Sequence, residues 1–418
     1  MISQSTSLYK KLQKQFSRRI NLDLSRINKV IAKLNYPHLD LNNPINIIGS
    51  DGKMSVLTSL KYFLEADNKS ITAFTSPHLY DFRHRFWLKN RYISINKINY
   101  FIKIIKKIKI KLTLFELLTC IYILAARKQK NISYNLVESG LLFRKDSTNL
   151  WNSPRAQIIT NINFQHKEWI NPKTLNEICR QKVGYLSKNT NIYIAKQNPT
   201  TLRIIKKNLE SNPSNKIYPS QWRLKKSKNQ YFYKDKKNLI PIKTNFINSN
   251  GLINNLCLSI KVALDLGVKK KTIIKTIPKI KFEGRLQYIK YGKLRKYVNM
   301  NDNILIDGCH SNTSGKNLNN YLKSLKGPIY GIWGMQKNKM PGEFIKIFQR
   351  TFKKLITITI PNEPNALSGK ELKKLSTIKN TFYVDNIYEA LNTLSSKEKK
   401  TIVVFGSMYL IGDVLSKN

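Results

Sequence analysis

Acidic residues are scarce in this chain: 24 Asp and Glu stand against 74 Lys and Arg over 418 residues, a formal net charge of +50. An excess of that size marks a polyanion partner when it is gathered on one arm or face. Here the lysines run through the whole chain beside Ile and Asn, as in K-I-I-K-K-I-K-I-K-L (residues 103–112) and L-K-K-S-K-N-Q (residues 224–230). The spread reads as a compositional bias and not as a dedicated nucleic-acid surface, though a positive field still draws in anionic ligands. Cysteine is nearly absent. Cys120, Cys179, Cys257 and Cys309 lie far apart with no C-x-x-C pair, which excludes a zinc finger and leaves reduced core thiols. No run of about eighteen apolar residues occurs, and the start M-I-S-Q-S-T-S-L-Y-K-K has no apolar stretch of a secretory signal. A cytosolic protein with no membrane partner is expected. No internal repeat of fixed short period shows.

With 41% hydrophobic residues the chain is long enough for two domains, each with its own core. Residues 44–55, P-I-N-I-I-G-S-D-G-K-M-S, carry an apolar strand into a Gly-Asp-Gly-Lys turn and then a helical pattern. Such a turn aims backbone N–H groups and a helix N-terminus at anions, and its lysine neutralises phosphate charge. The spacing is not that of the common P-loop, which would place glycine at Ile47 and Ser or Thr at Met54.

Periodicity predicts an amphipathic helix over residues 21–34, a helix over 53–65 and a strand over 71–74 that ends at Pro77. Further helices are expected over 113–128 and 174–185, and strands over 134–137, 156–162 and 191–195. The alternation argues for a doubly wound, mostly parallel sheet with ligands at the carboxyl ends of its strands. Residues 199–250 turn polar and aromatic and read as short antiparallel strands, before a helix over 252–266. From residue 303 a second alternation follows, with strands over 304–306, 329–333, 355–360, 381–384 and 401–405 and helices over 314–325, 343–352 and 387–394. The expected division is a domain over 1–284, a linker over 285–300 and a smaller Rossmann-like domain over 301–418.

The turn at Gly49, Gly52, Lys53 and Ser55 resembles the G-T-N-G-K-G-S loop of ATP-dependent amide ligases. Downstream come T-S-P-H-L (75–79), L-T-L-F-E (112–116), V-E-S-G-L (137–141), R-K-D-S-T-N (144–149), I-T-N-I-N-F-Q-H (159–166), Q-K-V-G (181–184), E-G-R-L-Q (283–287), D-G-C-H (307–310), G-M-Q-K-N-K (334–339) and F-G-S-M-Y-L-I-G (405–412). In that order they resemble the folylpolyglutamate synthase/dihydrofolate synthase family, relatives of the Mur ligases, over most of the chain.

The resemblance implies an α/β, Mur-ligase-like fold: an N-terminal P-loop-type ATPase domain with a mostly parallel sheet, plus the smaller C-terminal domain. It implies an ATP- and Mg²⁺-dependent ligase that adds L-glutamate to dihydropteroate or reduced folates, working as a monomer. By that likeness ATP is held by Asp51, Gly52, Lys53, Met54, Ser55, Asn255, Arg285 and Asp307, and the metal by Ser76, Glu138 and His166. Lys53, Lys182 and His166 carry the chemistry, Lys182 matching a lysine carbamylated by CO₂. Thr113, Leu114, Phe115, Glu116, Lys145, Asp146 and Ser147 align with the pterin pocket, and His310 and Ser407 with contacts to glutamate.

Family positions are altered at Met54, for the third loop glycine; at Leu142 and Phe143, for a Gly-Gly pair; and at Gln165, for an aspartate. Ser311 and Asn312 stand for Asn-Pro, and Asn338 for the first acid of D-K-D. Rival readings are a Mur-type cell-wall ligase, a basic nucleic-acid-binding protein, and an inactive remnant.

Overall fold

The computed structural model describes residues 4–16, 21–227 and 230–418. Contacts divide the chain into two compact units, one of Met1–Thr244 with Leu252–Ile280, the other of Asn245–Gly251 with Lys281–Asn418.

The first unit is built on strands β1 (Pro44–Ile48), β2 (Ile71–Phe74), β3 (Phe86–Leu88), β4 (Tyr134–Glu138), β5 (Ala156–Ile159), β6 (Asn191–Ile194) and β7 (Asn215–Ile217). They form one sheet in the order β3-β2-β4-β1-β5-β6-β7, parallel throughout except for the edge strand β3. Helices cover both faces, so β1, β2 and β5 are buried at every position, the continuous apolar pattern of a two-sided sheet. One core gathers Phe74, Phe82, Phe86 and the helix Leu114–Arg127; the other gathers Ile48, Ile159 and the helix Leu175–Val183. A helix at Ser25–Lys33, inside the expected 21–34, buries Ile27, Val30 and Ile31.

The lysine-rich stretch before residue 107 is the helix Ile95–Lys106, which sequence reading left unassigned. Ile98, Phe101, Ile102 and Ile105 fall on its buried face and the lysines on its other face. Residues 199–208, expected as strand, form the helix Pro199–Asn208: Asn198 accepts a cap hydrogen bond from the Thr200 amide at 3.0 Å, and Pro199 takes the first turn where it costs no hydrogen bond. The antiparallel expectation holds further on, in β8 (Trp222–Ser227), β9 (Gln230–Asp235) and β10 (Leu239–Ile242), a separate three-stranded sheet.

The second unit holds β11 (Gln287–Ile289), β12 (Asn303–Asp307), β13 (Ile329–Trp333), β14 (Lys354–Thr357), β15 (Thr381–Tyr383) and β16 (Thr401–Phe405) in the order β11-β12-β16-β13-β14-β15. All pairs are parallel except β11 with β12. β11 and a 3-10 turn at Lys293–Tyr297 occupy residues expected as linker, because Gln287, Tyr288 and Ile289 pair with Ile306, Leu305 and Ile304. The helix expected over 343–352 is the shorter Pro341–Lys346. No helix among the described residues is long and apolar enough to cross a membrane.

Candidate active site

Four neighbouring parallel strands, β2, β4, β1 and β5, deliver the central candidates at their carboxyl ends: Ser76 after β2, Glu138 closing β4, residues 49–52 after β1, and residues 160–166 after β5. The strand order reverses beside β1, with β2 and β4 on one side and β5 to β7 on the other, the place where such sheets open a crevice for ligands.

The turn after β1 needs its glycines. Gly49 has φ +148°, and a Cβ there would lie 2.0 Å from Thr160 Oγ1. Gly52 has φ +92°, and its Cβ would lie 2.6 Å from Asn255 Nδ2, so Asn255, on the helix Asn250–Asp265, rests directly against the loop. The helix Lys53–Ala66 then starts, and its first amides have no acceptor within the helix and can face an anion. The Ser50 and Asp51 amides are turned the other way and donate to the Asn161 carbonyl at 2.8 and 3.2 Å.

Lys53 curls back over this turn, its Nζ donating to the carbonyls of Gly49 and Ser50 at 3.3 Å each. Lys182, on the helix Leu175–Val183, is 2% exposed and donates to the same Gly49 carbonyl at 2.9 Å. Burial, and then the nearby charge of Lys53, pull the Lys182 ammonium down to about 7. An amine so placed is partly neutral, and therefore nucleophilic, near physiological pH.

Ser76 and Glu138 meet: the Ser76 amide donates to Glu138 Oε2 at 3.1 Å, and Glu138 is 3% exposed. His166 follows β5 in a left-handed conformation, φ 64°, beside Gln165, whose Nε2 donates to Asp51 Oδ2 at 3.3 Å. Among the described residues no three His, Cys, Asp or Glu side chains cluster closely enough to hold a metal by themselves. A carboxylate and a hydroxyl on adjacent strand ends are hard oxygen donors, which suit Mg²⁺ because that ion keeps several waters and takes only one or two carboxylates.

The residues expected to line a pterin pocket divide into two groups. Thr113 and Glu116 form a capping box on the helix Leu114–Arg127, and buried Glu116 also accepts from Arg26 Nη2 at 2.8 Å. Asp146 is buried and accepts from the amides of Gly140 (3.1 Å), Leu141 (2.8 Å) and Thr148 (3.0 Å) and from Thr148 Oγ1 (2.6 Å). Desolvation nevertheless raises its pKa above the ordinary carboxylate value. Ser147 shares a 2.7 Å hydrogen bond with Thr119, and Leu114 is buried. Those side chains are engaged in local structure. Phe115 and Lys145 remain available, Phe115 half-buried over Gly140 and Lys145 exposed.

In the second unit Arg285 lies 3.6 Å from Asp307, which also accepts from the amides of Leu286 and Cys309 at 2.9 Å each. Burial raises the Asp307 carboxyl, against the opposing pull of Arg285. His310 and Ser407 follow the adjacent strands β12 and β16. Ser407 is buried and caps the helix Met408–Lys417, its hydroxyl accepting from the Tyr409 amide at 3.1 Å. The His310 ring faces the Gly308 carbonyl at 2.8 Å through Nδ1.

Sequence reasoning passed over several residues of this region. Asn161 receives the loop amides, Asn163 Nδ2 donates to Asp51 Oδ2 at 2.7 Å, and Arg26 neutralises Glu116. Asn161 and Asn163 lay inside the quoted I-T-N-I-N-F-Q-H motif; the strand-end position was the signal, but a carbonyl acting through its backbone leaves no side-chain signature.

Comparison with known proteins adds the following. Residues 287–417 match the family model described as dihydrofolate synthetase, C-terminal domain. A dihydrofolate synthase/folylpolyglutamate synthase of Buchnera aphidicola (subsp. Schizaphis graminum) is 24% identical, with 98% of this chain and 96% of the relative aligned. A dihydrofolate synthetase of Saccharomyces cerevisiae is also 24% identical, over 95% of this chain and 97% of its own. In structure, the bifunctional folylpolyglutamate synthase/dihydrofolate synthase of Yersinia pestis complexed with AMPPNP and Mn ion superposes with a TM-score of 0.84 at 18% identity, covering 99% of this chain and 98% of that one.

Proposed function

We propose, from the match of residues 287–417 to the dihydrofolate synthetase C-terminal model and from relatives aligned along nearly the whole chain, that this chain is a member of the dihydrofolate synthase/folylpolyglutamate synthase family and an ATP-dependent ligase joining L-glutamate to dihydropteroate, to reduced folates, or to both. The observation that carries the reading is the meeting of the Gly-Asp-Gly-Lys turn, the Ser76–Glu138 pair and the segment leading to His166 at the ends of four adjacent parallel strands.

The reaction has two steps. A substrate carboxylate oxygen attacks the γ-phosphorus of ATP, the bond to the ADP oxygen breaks, and an acyl phosphate forms. The amine of glutamate then adds to the acyl carbon, loses a proton and expels inorganic phosphate, leaving an amide. Rate comes mainly from positioning and from offsetting charge.

The amides heading the helix Lys53–Ala66 cradle phosphate, and Lys53 turns from the Gly49 and Ser50 carbonyls to meet it. Asp51, Gly52, Met54, Ser55 and Asn255 complete the nucleotide site of the first unit, and the family resemblance assigns Arg285 and Asp307 to ATP as well. Ser76 and Glu138, with His166, would hold Mg²⁺, which when bound offsets charge on the phosphate oxygens. Lys182 is carbamylated: its neutral amine adds to CO₂ and a proton leaves, replacing a cation beside Gly49 with an anion. Phe115 and Lys145 contact the pterin and its tail, within a frame set by Thr113, Leu114, Glu116, Asp146 and Ser147. His310 and Ser407 lie where glutamate enters. The protein works as a cytosolic monomer.

Purified protein supplied with ATP, Mg²⁺, dihydropteroate and L-glutamate should release phosphate only when glutamate is present. No glutamate-dependent release, under conditions where a family member turns over, rejects catalysis; retained ATP binding would then leave a binding remnant. A UDP-linked cell-wall precursor in place of dihydropteroate should support no release. Depleting CO₂ at pH 8 should slow turnover, and added bicarbonate should restore it. Indifference to bicarbonate, with no mass increment on Lys182, would remove the carbamate from the scheme.

A further inference from the structure

The phosphate-facing turn does not hold its own shape. Its Ser50 and Asp51 amides are anchored on one acceptor, the Asn161 carbonyl. The orientation of that carbonyl is fixed from outside. Gln197, 9% exposed and beyond the end of β6, accepts from the Ile162 amide at 2.9 Å and donates through Nε2 to the Thr160 carbonyl at 2.9 Å. One side-chain amide therefore grips the backbone on both sides of Asn161, as a neighbouring strand would. Thr160 also meets the turn directly: its amide donates to the Ile48 carbonyl at 2.7 Å, and its hydroxyl occupies the space where a Gly49 Cβ would be.

We propose that Gln197 is a positioning residue for nucleotide binding, acting through Thr160, Asn161 and Ile162 to set the orientation of the Ser50 and Asp51 backbone and, with it, the start of the helix Lys53–Ala66. The proposal rests on the nucleotide reading of this turn. Gln197 touches no reacting group. Its effect falls on one ligand: the triphosphate feels the turn, while dihydropteroate and glutamate do not.

The test uses the full chain and a non-hydrolysable ATP analogue with Mg²⁺, titrated calorimetrically. Gln197→Met keeps length and removes both hydrogen bonds; Gln197→Glu keeps the acceptor for Ile162 and loses the donor to Thr160. Losing two buried hydrogen bonds should weaken analogue binding about tenfold or more in Gln197→Met, and less in Gln197→Glu. KM for dihydropteroate and for glutamate should stay within about twofold in both. Unchanged analogue affinity in a folded variant overturns the proposal, and so does a parallel drift of all three constants with a falling Tm, which marks a general packing role. If either variant fails to fold, hydrogen exchange on the unmutated protein decides: the amides of Ser50, Asp51 and Ile162 should gain protection together when the analogue binds, and no change at Ile162 overturns it. Failure of the unmutated protein to bind the analogue at all rejects the nucleotide reading, a different result.

Discussion

At the residue scale two lysines, Lys53 and Lys182, donate to one carbonyl, that of Gly49. Lys53 is half-buried, and Lys182 is buried. The charge of Lys53 disfavours a second charge on Lys182, so Lys53→Met should raise the Lys182 pKa above about 7, a shift followed by NMR of the reductively ¹³C-methylated amine. Stability carries the opposite sign of a helpful ion pair. With the folded value lowered from 10.5 to about 7, both states are protonated below pH 7 and the folded state bears the full cost of a buried cation. Between pH 7 and 10.5 the unfolded chain binds more protons, and stability rises with pH. Lys182→Met should therefore raise Tm more at pH 6 than at pH 9.5 in scanning calorimetry; an equal shift at both would show that Lys182 is not the titrating group. Gly52→Ala meets two obstacles, a positive φ costing about 1 kcal/mol and the Asn255 amide in its path. Its expected signature is a large rise in KM for ATP with a modest fall in Tm.

Elements show why some of this was legible in sequence and some was not. β1, β2, β4 and β5, with the helices between them, are marked by apolar runs bounded by glycine and proline, and their order alone placed the candidates at strand ends. The helix Pro199–Asn208 was missed because its cap, Asn198 before Pro199, is a two-residue signal inside a polar stretch. The helix Ile95–Lys106 was missed because lysine abundance masked its isoleucine stripe. β11 has three residues and exists only through its pairing with β12, a long-range fact no local pattern carries. At the site, charged and glycine positions were readable, while the roles of Asn161 and Gln197 depend on backbone groups distant in sequence. Capping matters as much as pocket chemistry on the helix Leu114–Arg127. Thr113→Ala should cost about 1 kcal/mol in denaturant unfolding, and Thr113→Ser should recover most of it.

For the whole molecule, a charge of +50 governs encounter more than fold. Raising NaCl from about 50 to 300 mM should increase KM for ATP several-fold, because the Debye length shrinks below the reach of dispersed lysines. Duplex DNA should bind only at low salt; tight binding at physiological salt would favour a nucleic-acid role. Each unit has its own sheet and its own buried thiols: Cys120, Cys179 and Cys257 in the first and Cys309 in the second. Burial pushes all four upward, Cys179 to about 11 and the rest beyond, so none presents a thiolate near neutrality. The native chain is thus a dark background for maleimide dyes. A cysteine introduced at an exposed position in each unit, such as Tyr36 and Met300, would be the sole point of attachment there, and a donor and acceptor fluorophore on the pair would track in real time any relative movement that accompanies turnover.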